Sequence, residues 1–287
     1  MSAIYKRELH SYFCGMTGPI FMAFLLLMTG IYMTVYNLMG GYPNFEIALS
    51  GVSFVFLIAV PVLTMRSLAE EKHARTDQLL YALPVSLTSV VMAKYLAMVT
   101  VLGIPVGVMC FYPLILNRYG NIAFASAYGS ILAFFLLGCA LISVGMFISS
   151  LTESQVIAAV VSVGVLLLTY LMAGLANMLP ETAGASYAGF LAIAVLVGLI
   201  VHVMVKNSTV SMGVTAVLVA ILSVLYFVKQ DLFAGALPEL LTALALFDRL
   251  YSFTNGIFDL TAIVYYLTVA ALFVYLTVQS MDKKRWS

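Results

Sequence analysis

Eight apolar runs, most of them near the length that crosses a bilayer, constrain this chain more than any other feature. They fall at about 19–38, 51–64, 97–116, 127–149, 156–176, 187–205, 210–228 and 260–278. A helix needs about 20 apolar residues to cross the hydrocarbon core. Inside lipid no backbone N–H or C=O can be left to water, so runs of this kind must be helical. The expected fold is therefore all-α and polytopic, a single membrane domain over 1–287 with about eight transmembrane helices. The second run is eked out by its neighbours, and Pro61 is expected to bend it. The composition agrees: 63% of residues are hydrophobic and only 9% are charged, against about 25% charged in a soluble domain.

The basic residues orient these runs. With the N-terminus in the cytoplasm, ten of the 13 Lys and Arg lie inside: Lys6, Arg7, Arg66, Lys72, Arg75, Lys94, Lys206, Lys283, Lys284 and Arg285. Arg118, Lys229 and Arg249 lie outside. That asymmetry predicts cytoplasmic termini and a cytoplasmic loop over 66–86. The same residues are scattered and form no basic stripe, so nucleic acid is not an expected partner.

The 66–86 loop, RSLAEEKHARTDQLLYALPVS, is the one long polar interruption in the first 117 residues. Arg66 to Lys72 are good helix formers and would prolong the preceding span into water. Thr76 is a candidate N-cap, with Asp77 in the first turn. Leu79, Leu80 and Leu83 then make an apolar patch, and Pro84 ends the helix because it has no N–H. Such a helix either docks in a partner's groove or lies on the headgroups.

The stretch Leu63 to Ala97 resembles the signature loop of ABC transporter type-2 permeases. The shared features are the acidic pair Glu70 and Glu71, the pair Leu79 and Leu80, and Pro84-Val85-Ser86. Where that family usually has glycine before the threonine, this chain has Arg75. The beginning, AIYKRELHSYF, and the end, from FDRLYSFTNGIF to MDKKRW, are similar to the gliding-motility-associated subgroup of permeases and its exporting relatives. The resemblance implies a membrane-spanning subunit of an ATP-driven exporter in a prokaryotic cytoplasmic membrane. Its coupling helix would fit a cleft on a separate ATPase subunit, present in two copies, beside a second permease copy or homologue. Arg66, Glu70, Glu71 and Thr76 would make polar contacts there, Leu79, Leu80 and Leu83 would fill the cleft, and Pro84 would set the exit angle. ATP and Mg would sit on the ATPase, and none on this chain. Many relatives have six spans, which leaves six possible here.

Other stretches carry weaker signals. Residues 1–16 suggest an interfacial amphipathic helix, and 229–258 an amphipathic segment outside the membrane, on the lipid surface or against an extracytoplasmic partner. Gly103, Pro105 and Gly107 place a small-xxx-small pair and a proline in the third run, which permits close packing and a kink. No GxxxxGK[ST], HExxH, CxxC or GxSxG occurs. Cys14, Cys110 and Cys139 lie far apart and suit neither disulfides nor a metal. All 12 Asp and Glu fall in loops or near run ends, which argues against an ion-driven transporter. The same sequence also permits a non-transporting scaffold that recruits a cytoplasmic partner through 66–86.

Overall fold

The structure, a computed structural model, describes residues 2–74, 86–205 and 208–285. It is 84% helix, with no strand among the described residues. Residue contacts gather the chain into two compact units, 1–168 with 246–287, and 169–245. The division falls inside a helix and inside the 229–258 segment, so neither break is a linker visible in composition.

In the first unit, α1 (Ser2–Cys14) precedes α2 (Thr17–Tyr32), which runs on as a π-helix over Met33–Met39. Next come α3 (Phe45–Ser53), α4 (Phe56–Thr64) and the short α5 (Ala69–His73). The long α6 (Leu87–Met109) continues through α7 (Tyr112–Leu116). The helix α8 (Phe124–Leu151) is the central staff: 78% of its apolar window is buried, against 28–39% for the other long spans packed in this unit. Its faces touch α3, α4, α6, the late helix α13 (Asp248–Thr254) and the last helix, α14 (Leu260–Arg285).

Close packing around α8 rests on two glycines one heptad apart. A methyl at Gly138 would meet Phe56 Cζ at 3.2 Å, and one at Gly145 would strike the Thr64 side chain, whose Cβ lies 3.0 Å away. Phe56 and Phe134 stack beside Gly138 with centroids 4.4 Å apart. At the other end of the staff, Ser130 Oγ donates to the Phe253 carbonyl at 2.9 Å, tying α13 to α8.

The second unit contains α10 (Ala183–Val205), α11 (Ser208–Val228), a 3-10 turn at Gln230–Phe233 and α12 (Ala236–Leu244). The α10–α11 hairpin is held by Tyr187 stacked on Tyr226 at 4.5 Å, with the Tyr187 hydroxyl 2.8 Å from Ser223 Oγ. The unit boundary falls inside α9 (Gln155–Met178).

All eight apolar runs are helical, but they do not all qualify alike as spans. Five helices are long and apolar enough: Thr17–Met39, Leu87–Leu116, Phe124–Leu151, Gln155–Met178 and Leu260–Lys283. Two more qualify only as bent pairs, Phe45–Ser53 with Phe56–His73 at 56°, and Met212–Val228 with Gln230–Leu244 at 117°. The run expected at 187–205 contributes the shorter apolar helix Ala183–Leu199. The protein is thus a multi-pass membrane protein with five to seven candidate spans among the described residues. The bend in the second run lies at Phe54–Val55, ahead of Pro61, which sits inside α4.

Candidate functional site

The site is built at the root of the 66–86 loop, from side chains that four separate elements bring together. Met65 to Leu68 turn out of α4 and lead into α5. The buried Ser149, near the C-terminal end of α8, receives that turn. Its Oγ accepts from the Leu68 N–H at 3.3 Å and the Ala69 N–H at 3.1 Å, and donates to the Met65 carbonyl at 3.2 Å. One donor and two lone pairs are all that a hydroxyl has, and all three are used. These bonds supply partners for amides at the start of α5, which has no capping side chain.

Two lysines clamp the same turn. Lys72, buried, donates to the Ser150 carbonyl at the end of α8. A cation there also meets the negative end of the helix dipole. Lys94 lies two turns into α6 and is only 2% exposed. Its ammonium has three acceptors within reach: Glu71 Oε1 at 2.8 Å, the Ser67 carbonyl at 3.0 Å and Glu8 Oε1 at 3.1 Å. Three donors matched to three acceptors leave no part of this buried charge uncompensated. Arg7 closes the cluster, 2.8 Å from Glu8 and 3.4 Å from Glu71. The hydrogen bond to Glu8 holds the Arg7 guanidinium above its ordinary pKa. Two cations and two carboxylates balance, so the cluster carries no net charge.

The first helix is drawn into this site along its length. Tyr5 OH lies 2.9 Å from Thr100 Oγ1, and the Tyr12 hydroxyl donates to the Leu63 carbonyl at 3.5 Å. Burial pushes the Tyr12 phenol up in pKa, so it stays a donor. Residues 2–14 are therefore a helix packed on α6 and α2 by one face, with Lys6, Arg7 and His10 exposed on another.

Of the residues expected to face a partner, three are described. Arg66 lies 3.4 Å from Glu70, 3.4 Å from Gln155 Oε1 and 3.2 Å from Thr17 Oγ1. Arg66 and Glu70 are each about half exposed, at 46% and 49% of the side chain. Glu71 instead turns inward to Lys94. Thr76, Leu79, Leu80, Leu83 and Pro84 lie outside the described residues, as do Arg75 and Asp77. Among the described residues a methyl at Gly103 would meet Phe135 at an ordinary 3.7 Å, and one at Gly107 nothing within 4 Å. Pro105 is buried inside α6, which stays helical through it. Tight packing falls at other glycines, among them Gly138 and Gly145 on α8 and Gly51 against the Tyr32 ring.

Lys94 and Glu8 carry the site and do not stand out in sequence beyond one signal. A single lysine interrupts the apolar run VVMAKYLAM, and an ionisable residue inside a span is a functional candidate by default. Among the described residues no group of three or more His, Cys, Asp and Glu is placed to hold a metal.

The arrangement ties the root of a polar loop to the end of α8, the second turn of α6 and the middle of α1. No curated protein and no solved structure matches the chain. Residues 27–188, more than half of it, match the family described as ABC-2 family transporter protein. The matched stretch contains the loop, its α6 and α8 mounts and the packing glycines; the chain belongs to the ABC-2 transporter family, whose membrane-spanning permease subunits partner an ABC ATPase.

Proposed function

We propose that this chain is the permease of an ATP-driven exporter of the gliding-motility-associated kind, and that residues 66–86 are its coupling helix. Two ATPase subunits, which hold the ATP and Mg, would close on hydrolysable nucleotide and push on this loop in each of two permease copies or homologues. The carrying observation is the mount: Ser149, Lys72 and the Lys94–Glu8–Glu71–Arg7 cluster bind the loop's root to three helices, α8, α6 and α1. A loop that merely lay on headgroups would need no such fixing. Arg66 and Glu70, half exposed beside it, are available for polar contacts with the ATPase. Leu79, Leu80 and Leu83 would supply the apolar anchors, Thr76 the start of that helix and Pro84 its end. Loop and both termini would face the cytoplasm of a prokaryotic cell, and 229–258 would meet the outer leaflet or an extracytoplasmic partner.

The test is affinity purification from native membranes in mild detergent. An ATPase with a phosphate-binding loop should co-purify, and Leu79→Ala with Leu80→Ala should release it, since losing buried apolar anchors costs about 2 kcal/mol or more each. A double variant that is expressed normally and keeps its ATPase overturns the coupling assignment. Absence of any ATPase with the wild-type chain favours the scaffold reading.

A further inference from the structure

Helix α1 has a second face, and chain connectivity says at what depth it lies. Span one begins at Thr17, so only Gly15 and Met16 separate it from the end of α1 at Cys14. The turn needs glycine: a methyl at Gly18 would stand 2.6 Å from the Tyr12 carbonyl oxygen. A helix packed on α6 and α2 and joined to the start of a span by two residues lies at the level of the headgroups. Its roll is fixed as well. Tyr5, Glu8 and Tyr12 are held inward by Thr100, Lys94 and the Leu63 carbonyl. Ala3, Lys6, Arg7, His10, Phe13 and Cys14 then share the opposite arc, about a third of the helix circumference. All six are exposed.

The charge on this face is not balanced by α1 itself. Glu8 is the one acid in Ser2–Cys14, and its side chain, 12% exposed, is spent on Lys94 and Arg7. Lys6 makes no ion pair among the described residues. Arg7 is 59% exposed, and a single nitrogen, Nη2, reaches both Glu8 and Glu71. Its Nε and Nη1, with three N–H groups, make no hydrogen bond among the described residues. A guanidinium fork of this kind matches a phosphate. Phe13 and Met16 are exposed beside the cations. A dissolved anion has no use for them, whereas the boundary between headgroups and acyl chains takes apolar and basic side chains together.

We propose that this face of α1 binds anionic phospholipid headgroups, with Lys6 and Arg7 on the phosphates and Phe13 and Met16 at the acyl boundary. Arg7 holds a lipid phosphate through Nε and Nη1 while Nη2 stays on Glu8 and Glu71. The lipid then braces the root of the 66–86 loop from the membrane side, and the charge of the leaflet reaches the loop mount through one guanidinium. An interfacial helix as such, expected from the sequence, makes no distinction among headgroups.

The test uses the detergent-purified chain and needs neither an ATPase nor an assigned side of the membrane, so its outcome is separate from the exporter reading. The melting point is followed against added short-chain phosphatidylglycerol, phosphatidylcholine of the same chain length, and inorganic phosphate. Phosphatidylglycerol should raise it saturably by several degrees over phosphatidylcholine, and less so at high salt. Inorganic phosphate at the same concentration should not. Lys6→Gln should raise the half-saturating concentration of phosphatidylglycerol about fivefold, the worth of one basic residue near an anionic surface. Arg7→Gln should raise it at least as much. Should Arg7→Gln fail to fold, Lys6→Gln, at an exposed position without an ion pair, still decides. The proposal is overturned if the two lipids act alike on the wild type, which would leave the face to a soluble acidic partner. It is equally overturned if inorganic phosphate reproduces the effect, or if Lys6→Gln keeps the wild-type half-saturation.

Discussion

Lys94 is where a single atom decides most. Its ammonium sits among two carboxylates and a carbonyl at 2.8–3.1 Å, nearly out of reach of water. Removing it with Lys94→Met leaves Glu8 and Glu71 facing each other with only Arg7 between them. Breaking a buried ion pair from one side costs about 3–5 kcal/mol, because the remaining charge stays buried. Unfolding of the purified variant should show a drop of that order, and Glu71→Gln added to it should restore a good part. A Lys94→Met chain as stable as the wild type would mean that water reaches the carboxylates. The sequence makes Arg66, Glu70 and Glu71 visible through a local pattern that survives in the primary string. Lys94 reads there as one more inside charge. Its burial comes from α1 folding over α6, a contact between residues some ninety positions apart, such as Tyr5 with Thr100, which no local spacing encodes.

At the scale of elements, α8 organises its neighbours by what it lacks. Gly145→Ala would push a methyl into the fully buried, β-branched Thr64, whose hydroxyl donates to the Val60 carbonyl at 3.0 Å. Overpacking of this kind costs about 1–3 kcal/mol. Gly107→Ala meets nothing and removes a flexible residue from a helix, so it should be neutral or stabilise by about 0.5–1 kcal/mol. Thermal unfolding of the two alanine variants side by side checks the contrast, and equal behaviour would sink it. The Gly103/Gly107 pair draws the eye in sequence because a proline stands between the glycines, yet spacing alone does not say which face meets a neighbour. Ser149→Ala tests the joint between α8 and the loop. It strands the Leu68 and Ala69 amides in a buried place, at a cost of about 1–3 kcal/mol. Melting of this variant should fall accordingly, and a Ser149→Ala chain that melts with the wild type would overturn the joint.

For the whole molecule, parity is the informative quantity. The membrane class and the helices were legible because lipid imposes length and apolarity on every span. The number of crossings was less so, since Ala183–Leu199 is short and two runs are bent pairs. Eight crossings return the C-terminus to the side of the N-terminus, while seven or five place it opposite. Cysteine accessibility reads this directly. With Cys110 and Cys139 replaced by alanine, the exposed Cys14 of α1 marks one end. In a companion chain with Cys14 also replaced, Asp282→Cys marks the other. Both should be blocked to a membrane-impermeant maleimide in intact cells and react in inside-out vesicles. Tyr119→Cys, at a 76% exposed position between α7 and α8, should label in intact cells. If Cys14 is protected and Asp282→Cys reacts from outside, the number of crossings is odd and the charge asymmetry, ten basic residues to three, has to be counted again around seven or five spans. If Cys14 itself labels from outside, the coupling loop faces the wrong compartment and no ATPase can reach Arg66 or Glu70. The same pair of labels thus decides between an even and an odd number of crossings and puts the proposed coupling site at risk.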